Sequence, residues 1–234
     1  MSPLEQAPSD GEPSKFKKLK WSNFVHCILQ LTIKAYEAMN QDRVAERDWE
    51  ENVFTVCLAE DYLRPLAFDH EYSIRVDVRS KTHTKEMKQG HQATIKAKEM
   101  DLSMYGVWER DYIKRRFVWE AKRVGDKRVD DKYGNLNSEY IHEAIYRFVR
   151  REYADGLDDA GILGYVLAGG VSNIVGDINR SMGNIRKNPP LPKSNHLEQV
   201  VPIDGFRNVY RSFHTRTDDT RIRLHHLFLT FEFS

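Results

Sequence analysis

The most constraining stretch of the chain is Gly161–Ala168 (Gly-Ile-Leu-Gly-Tyr-Val-Leu-Ala), short, apolar and bounded by glycines. A run of this kind reads as a strand buried on both faces, which requires other layers on each side of its sheet. Gly169-Gly170 then leads into a helix over about Ser172–Met182. Before it, Ile141, Ile145, Phe148 and Val149 recur at helical spacing over Ser138–Tyr153, with Ser138 as the expected N-cap. Strand, helix, strand and helix in this order make a parallel crossover unit. The chain therefore reads as α/β with a mixed sheet, whose antiparallel part includes a C-terminal hairpin over 208–233.

Upstream the period changes to two. Ile74, Val76 and Val78 alternate with Arg75, Asp77 and Arg79, the pattern of a strand with one wet face. Asp101–Val107 and Arg116–Val124 are two further strands, separated by the charged stretch Trp108–Arg115. Helices are expected over about Ser22–Met39 and Asp48–Ala67. The second opens with a capping-box pattern, Asp48 and Glu51, and stops near Pro65. Residues 1–20, rich in proline and serine, are expected to be a disordered lead-in, and 21–234 a single domain.

Composition narrows the function classes. With 36 Lys and Arg against 35 Asp and Glu, the net charge of +1 excludes a globally basic binder and an acidic tail protein alike. Charge is nevertheless uneven: Asp42–Arg75 carries nine acids against four bases, and Arg180 to the end nine bases against five acids. Two cysteines, Cys27 and Cys57, make neither a disulfide framework nor a metal cluster, which points to a reducing cytoplasmic setting. No apolar run is long enough for a membrane span, and the first residues do not read as a secretory leader.

The segment that carries chemistry is Asp101 followed, 19 positions later, by Glu120-Ala121-Lys122 at the end of an apolar strand. Residues two apart share a strand face, so Glu120 and Lys122 project together. A hairpin centred between Asp111 and Tyr112 sets Asp101 opposite Lys122, so two carboxylates and an amine converge. Asp77 and Asp111 compete for the first carboxylate. Asp111 sits at the hairpin tip, about 30 Å along the strand from Glu120 at its rise per residue, and Asp77 needs one specific register. Paired carboxylates beside a lysine suit metal-assisted phosphodiester hydrolysis. Mg²⁺ is held by one or two carboxylates and the substrate's phosphate oxygens, and a lysine stabilises the transition state's extra negative charge.

At these residues the chain resembles the PD-(D/E)xK superfamily of restriction-endonuclease-like nucleases. The likeness spans roughly residues 48–180, with Met100 standing where the motif's name has proline. It implies an α-β-β-β-α-β core and Mg²⁺-dependent (or Mn²⁺-dependent) cleavage of DNA, less often RNA. It implies Asp101, Glu120 and the Ala121 carbonyl as metal ligands, and Lys122 as the catalytic lysine. It further suggests an acid from the first core helix, for which Glu51 is the match, and polar side chains from the following helix. There Tyr140, Glu143 and Arg147 lie on one stripe, although Glu143 and Arg147 also suit a plain i,i+4 ion pair. The expected phosphate contacts are Lys114, Arg115, Arg116, Arg123, Lys127 and Arg128, together with His214 and Arg216 on one face of the C-terminal hairpin. His225 and His226 are adjacent, so they face opposite ways in a strand and cannot share a zinc ion. The resemblance also suggests restriction or anti-phage defence, an ATPase or sensor subunit as companion, and a homodimer for two-strand cutting. The alternative is an inactive subunit of the same fold that binds nucleic acid or a partner protein.

Overall fold

A computed structural model describes residues 13–69, 74–82, 98–106, 116–185 and 189–233. Seven strands form one mixed sheet in the order β1-β2-β3-β4-β7-β6-β5. They are β1 Ile74–Thr82, β2 Lys98–Gly106, β3 Arg116–Val124, β4 Asp159–Val166, β5 Glu198–Gln199, β6 Val209–Thr215 and β7 Arg221–Thr230. The pairs β3–β4 and β4–β7 are parallel and the other four antiparallel. β3 begins and ends where the sequence pattern places it. β4 is buried at every position, as its composition requires.

Two apolar cores sandwich the sheet. On one face lie α1 (Pro13–Gln41) and α2 (Glu51–Phe68), packed on Leu102, Phe117, Trp119, Tyr165 and Leu227. On the other lie α3 (Tyr133–Val149) and α4 (Val171–Asn184), packed on Val118, Val124, Ile162 and Phe228. α1 starts at Pro13, so residues 13–20 of the expected lead-in have helical backbone, with proline at the first helical position where no N–H is needed. Residues 1–12 lie outside the described residues. Among those described, no helix is long and apolar enough to cross a membrane.

α2 and α3 each contain a π-helical turn. α2 runs as α-helix over Glu51–Cys57, π-helix over Leu58–Leu63 and α-helix again over Arg64–Phe68. The sequence pattern stops this helix near Pro65; instead the π turn lies just ahead of Pro65, which begins a fresh turn where its missing N–H costs little. α3 runs over Tyr133–Glu139, π-helical Tyr140–Ile145 and Tyr146–Val149. Its N-cap is Lys132, not Ser138, and the cap of α2 is Glu50, with no capping box from Asp48. Glu51 is thereby left free to point elsewhere.

Two glycines let large groups approach. A Cβ on Gly161 of β4 would meet the Trp119 ring of β3 at 2.1 Å. Gly169 has φ +82°, and a Cβ there would lie 2.2 Å from Asp126 Cβ, so the turn into α4 is closed by that contact.

Candidate active site

β2 and β3 pair as Leu102↔Trp119 through Tyr105↔Arg116, a register two residues from the expected one. A two-residue slip preserves the strand face, so the convergence of Asp101, Glu120 and Lys122 survives it. A one-residue slip would have destroyed it.

The strand is irregular at Asp101. Met100 packs in the α3–α4 core while Leu102 packs in the α1–α2 core, although residues two apart in a regular strand share a face. The β1–β2 ladder skips the position where Arg79 opposes Asp101, and Arg79 has φ 52°, in the left-handed region. With the ladder interrupted, the Asp101 carboxylate accepts the backbone N–H of Ala121 at 2.8 Å. In an extended strand the carbonyl of a residue points to the same side as its N–H, so the Ala121 carbonyl also faces the β2 side.

Glu120 is almost wholly buried. Its Oε1 lies 3.1 Å from Arg147 Nη1 and 3.5 Å from Lys122 Nζ. Its Oε2 is buried without a hydrogen-bond partner among the described residues. Lys122 Nζ donates to Glu51 Oε1 at 2.6 Å, so the first residue of α2 reaches across to β3. Glu51, Asp101 and Glu120 against Lys122 and Arg147 make three acids and two cations, a formal charge of −1 when all are ionised.

Ionisation follows from that crowding. Burial raises the Glu51 carboxyl above its ordinary range, although Lys122 opposes it. Burial likewise raises Asp101, against the Ala121 N–H and Lys122. Glu120 is raised furthest, by burial and then by the Asp101 charge. Burial acts to lower Lys122, but Glu51 and Glu120 outweigh it and the amine is raised, so it stays protonated.

Arg147 and Tyr153 complete the site. Arg147 bridges Glu120, Glu143 and the Tyr153 hydroxyl, the last at 2.7 Å. The i,i+4 pair Glu143–Arg147 is therefore real, and the same arginine also reaches the buried carboxylate. The stripe on α3 was the signal for it; nothing in the sequence singles out Tyr153. Tyr140 goes elsewhere: its hydroxyl meets His226 Nδ1 at 2.7 Å inside the α3–α4 core, so it does not join the acids. Asp77 pairs with Arg75 at 2.8 Å, and Asp111 lies outside the described residues.

The expected phosphate contacts divide in two. Arg116 and Arg123 are half-buried on β3, Arg123 donating to the Trp49 carbonyl and pairing with Glu50 at 3.1 Å. Lys127 pairs with Asp177 at 2.5 Å and Arg128 forks onto Asp126, both cations remaining exposed. Lys114 and Arg115 lie outside the described residues. His214 and Arg216 are corrected: both are buried, since their strand face packs inward under α3. His214 Nε2 bonds Ser212 Oγ at 2.8 Å, and Arg216 donates to the carbonyls of Ala154 and Phe148, so neither presents a surface to phosphate. His225 and His226 do point to opposite faces, His225 to Asp159 and His226 to Tyr140.

The donor set fits a hard divalent ion in one respect and resists it in another. The partnerless Glu120 Oε2, the neighbouring Asp101 and the negative local charge suit Mg²⁺ or Mn²⁺. Yet among the described residues no three His, Cys, Asp or Glu side chains are arranged to hold a metal, because Lys122 stands between Glu51 and Glu120. No known protein family, curated protein or solved structure matches the chain.

Proposed function

We propose that the chain is a Mg²⁺-dependent (or Mn²⁺-dependent) endonuclease of the PD-(D/E)xK superfamily, with a restriction-endonuclease-like core, hydrolysing phosphodiester bonds of DNA. The observation that carries this reading is the convergence of Asp101, Glu120 and Lys122 around a buried carboxylate oxygen that has no hydrogen-bond partner among the described residues. The order helix, three strands, helix, strand across α2 to β4 supports it.

Asp101, Glu120 and the Ala121 carbonyl would hold the ion, which when bound supplies polarisation of the phosphoryl oxygen and a more acidic water. The chain's own residues do the rest. Lys122, protonated at neutral pH, serves as a fixed cation for charge developing on the phosphate and not as a base. Glu51 holds that amine in place, and Arg147 orients Glu120. Arg116, Arg123, Lys127 and Arg128 would meet the nucleic-acid backbone by exchanging protein carboxylates for phosphates. A cytoplasmic setting rests on the cysteine usage, whereas restriction or phage defence, an ATPase or sensor companion, a homodimer and RNA as a second substrate rest on superfamily analogy.

A second reading is an inactive subunit of the same fold that binds nucleic acid or a protein. It is favoured by the engagement of Glu120 Oε1 by two cations. Plasmid cleavage by the purified chain separates the two. The nuclease reading expects cutting in Mg²⁺ or Mn²⁺, none in EDTA, and a loss of about 10²-fold or more in Lys122→Ala, the scale for one preorganised electrostatic group. DNA affinity should change far less, since one cation of several is removed. Cutting that survives EDTA, or wild-type rates in a folded Lys122→Ala variant, would refute it. DNA binding without cleavage in either metal would select the second reading.

A further inference from the structure

Away from the acids, on the α1 face of β6 and β7, the sheet carries a row of polar side chains where the rest of that face is apolar. Asp159 of β4 pairs in register with Arg223 of β7, and His225 of β7 with Arg211 of β6. The Asp159 carboxylate is fully buried and accepts from Trp21 Nε1 at 2.8 Å, Arg223 Nε at 2.5 Å and Nη2 at 3.0 Å, and shares a hydrogen bond with His225 Nε2 at 2.8 Å. One acid is thus already saturated. Arg211 remains: its Nε is buried with no hydrogen-bond partner among the described residues. Burial and the neighbouring Arg223 both work against its charge, yet a guanidinium does not deprotonate in proteins.

These three side chains, Arg211, Arg223 and His225, line a cavity of about 570 Å³. Its remaining lining includes Val25 and Leu29 of α1 and Ile203 of the segment before β6, and no Phe, Tyr or Trp among the described residues. The size falls in the range of small-molecule sites. Two guanidiniums against one carboxylate leave a positive floor. The buried N–H of Arg211 calls for an acceptor, and most of the remaining wall is aliphatic, with Ser22, His26 and Gln199 as its polar members.

We infer that this cavity binds a small aliphatic anion, a carboxylate or phosphate monoester carried on an alkyl body, with Arg211 meeting the anionic head. The site is separate from the acid–lysine cluster on β2 and β3 and stands whether or not that cluster cleaves DNA.

Isothermal titration calorimetry on the full chain tests it, with octanoate and octyl phosphate as probes and octylamine and inorganic phosphate as controls. Saturable binding of at least one octyl anion is expected, the preferred head telling carboxylate from phosphate. Octylamine should not bind, and inorganic phosphate should bind at least tenfold more weakly than octyl phosphate. Arg211→Met should weaken the anion about tenfold or more, the effect of losing a charge-assisted hydrogen bond. Val201 lines the mouth and is 83 % exposed, so Val201→Asp leaves the core intact and should weaken the same anion by repulsion. Absence of saturable binding by both octyl anions overturns the inference. So does equal binding of octylamine, or of inorganic phosphate, or anion affinity unchanged in a folded Arg211→Met. If Arg211→Met does not fold, Val201→Asp decides alone.

Discussion

Glu120→Gln keeps the shape of the buried side chain and removes its charge. Two effects oppose each other. The change gives up the attraction to Arg147 at 3.1 Å and Lys122 at 3.5 Å. It also removes a carboxylate that is 2 % exposed, has one oxygen without a hydrogen-bond partner among the described residues and faces Asp101 and Glu51. Burial and Asp101 prevail over the two cations, since the Glu120 carboxyl is raised well above its ordinary range. The folded state therefore binds that proton more tightly than the unfolded chain, and stability falls as pH rises from the unfolded value through the folded one. Glu120→Gln should accordingly be more stable than wild type in the absence of divalent ions at pH 8, with the gap shrinking as pH falls towards about 4.5. Divalent ions should reverse the order of response. If Mg²⁺ binds with a dissociation constant of about 1 mM, about 10 mM adds RT ln 11, or about 1.4 kcal/mol, to wild type. For a domain of this size that is a rise of about 3–6 °C in Tm. Glu120→Gln should lose most of that rise. Scanning calorimetry at pH 8 with EDTA or Mg²⁺ measures both quantities. A variant less stable than wild type in EDTA, with an undiminished response to Mg²⁺, would show Glu120 to be a structural ion-pair partner and sink the reasoning.

Three other outcomes test the fold. Burial lowers the imidazoles of His225 and His226 and takes His214 down to about 3, so the unfolded chain binds protons below about pH 6.5 that the folded one refuses. The unfolding free energy from urea titrations should fall as pH drops from 7 to 5, by up to about 1.4 kcal/mol per pH unit for each histidine, and His214→Gln should reduce that slope by about one proton. Gly161→Ala should cost about 1–3 kcal/mol in chemical denaturation, because the new methyl has to displace the buried Trp119 ring. Arg216→Ala should lose about 2 kcal/mol of stability with its carbonyl bonds and leave DNA affinity and its salt dependence unchanged in a filter-binding assay.

The elements of this chain were legible wherever a local period dictates them. The limits of β3, the full burial of β4 and the helix after Gly170 follow from which residues repeat at two and which at 3.6. Local cues misled where a tertiary contact competed with them. The capping box failed because Glu51 finds a half-buried lysine, which rewards a carboxylate more than an exposed backbone N–H does. His214 on β6 and Arg216 just past its end do share a face, but nothing in their spacing says that α3 covers it.

The sequence by itself determined that Glu120 and Lys122 share a face and that an acid waits near the start of the preceding strand. Tertiary structure alone decided what meets them there. Glu51 arrives from 71 residues upstream and Arg147 from 27 downstream, each delivered by the packing of a helix on opposite faces of the sheet. The same holds for the floor of the second cavity, where Asp159, Arg211 and Arg223 lie on three strands that only the sheet order makes neighbours. Hydrophobic periodicity acts between residues a few positions apart and fixes which way a side chain points. Charge and burial act through space, and the distances that set them exist only once the layers have closed.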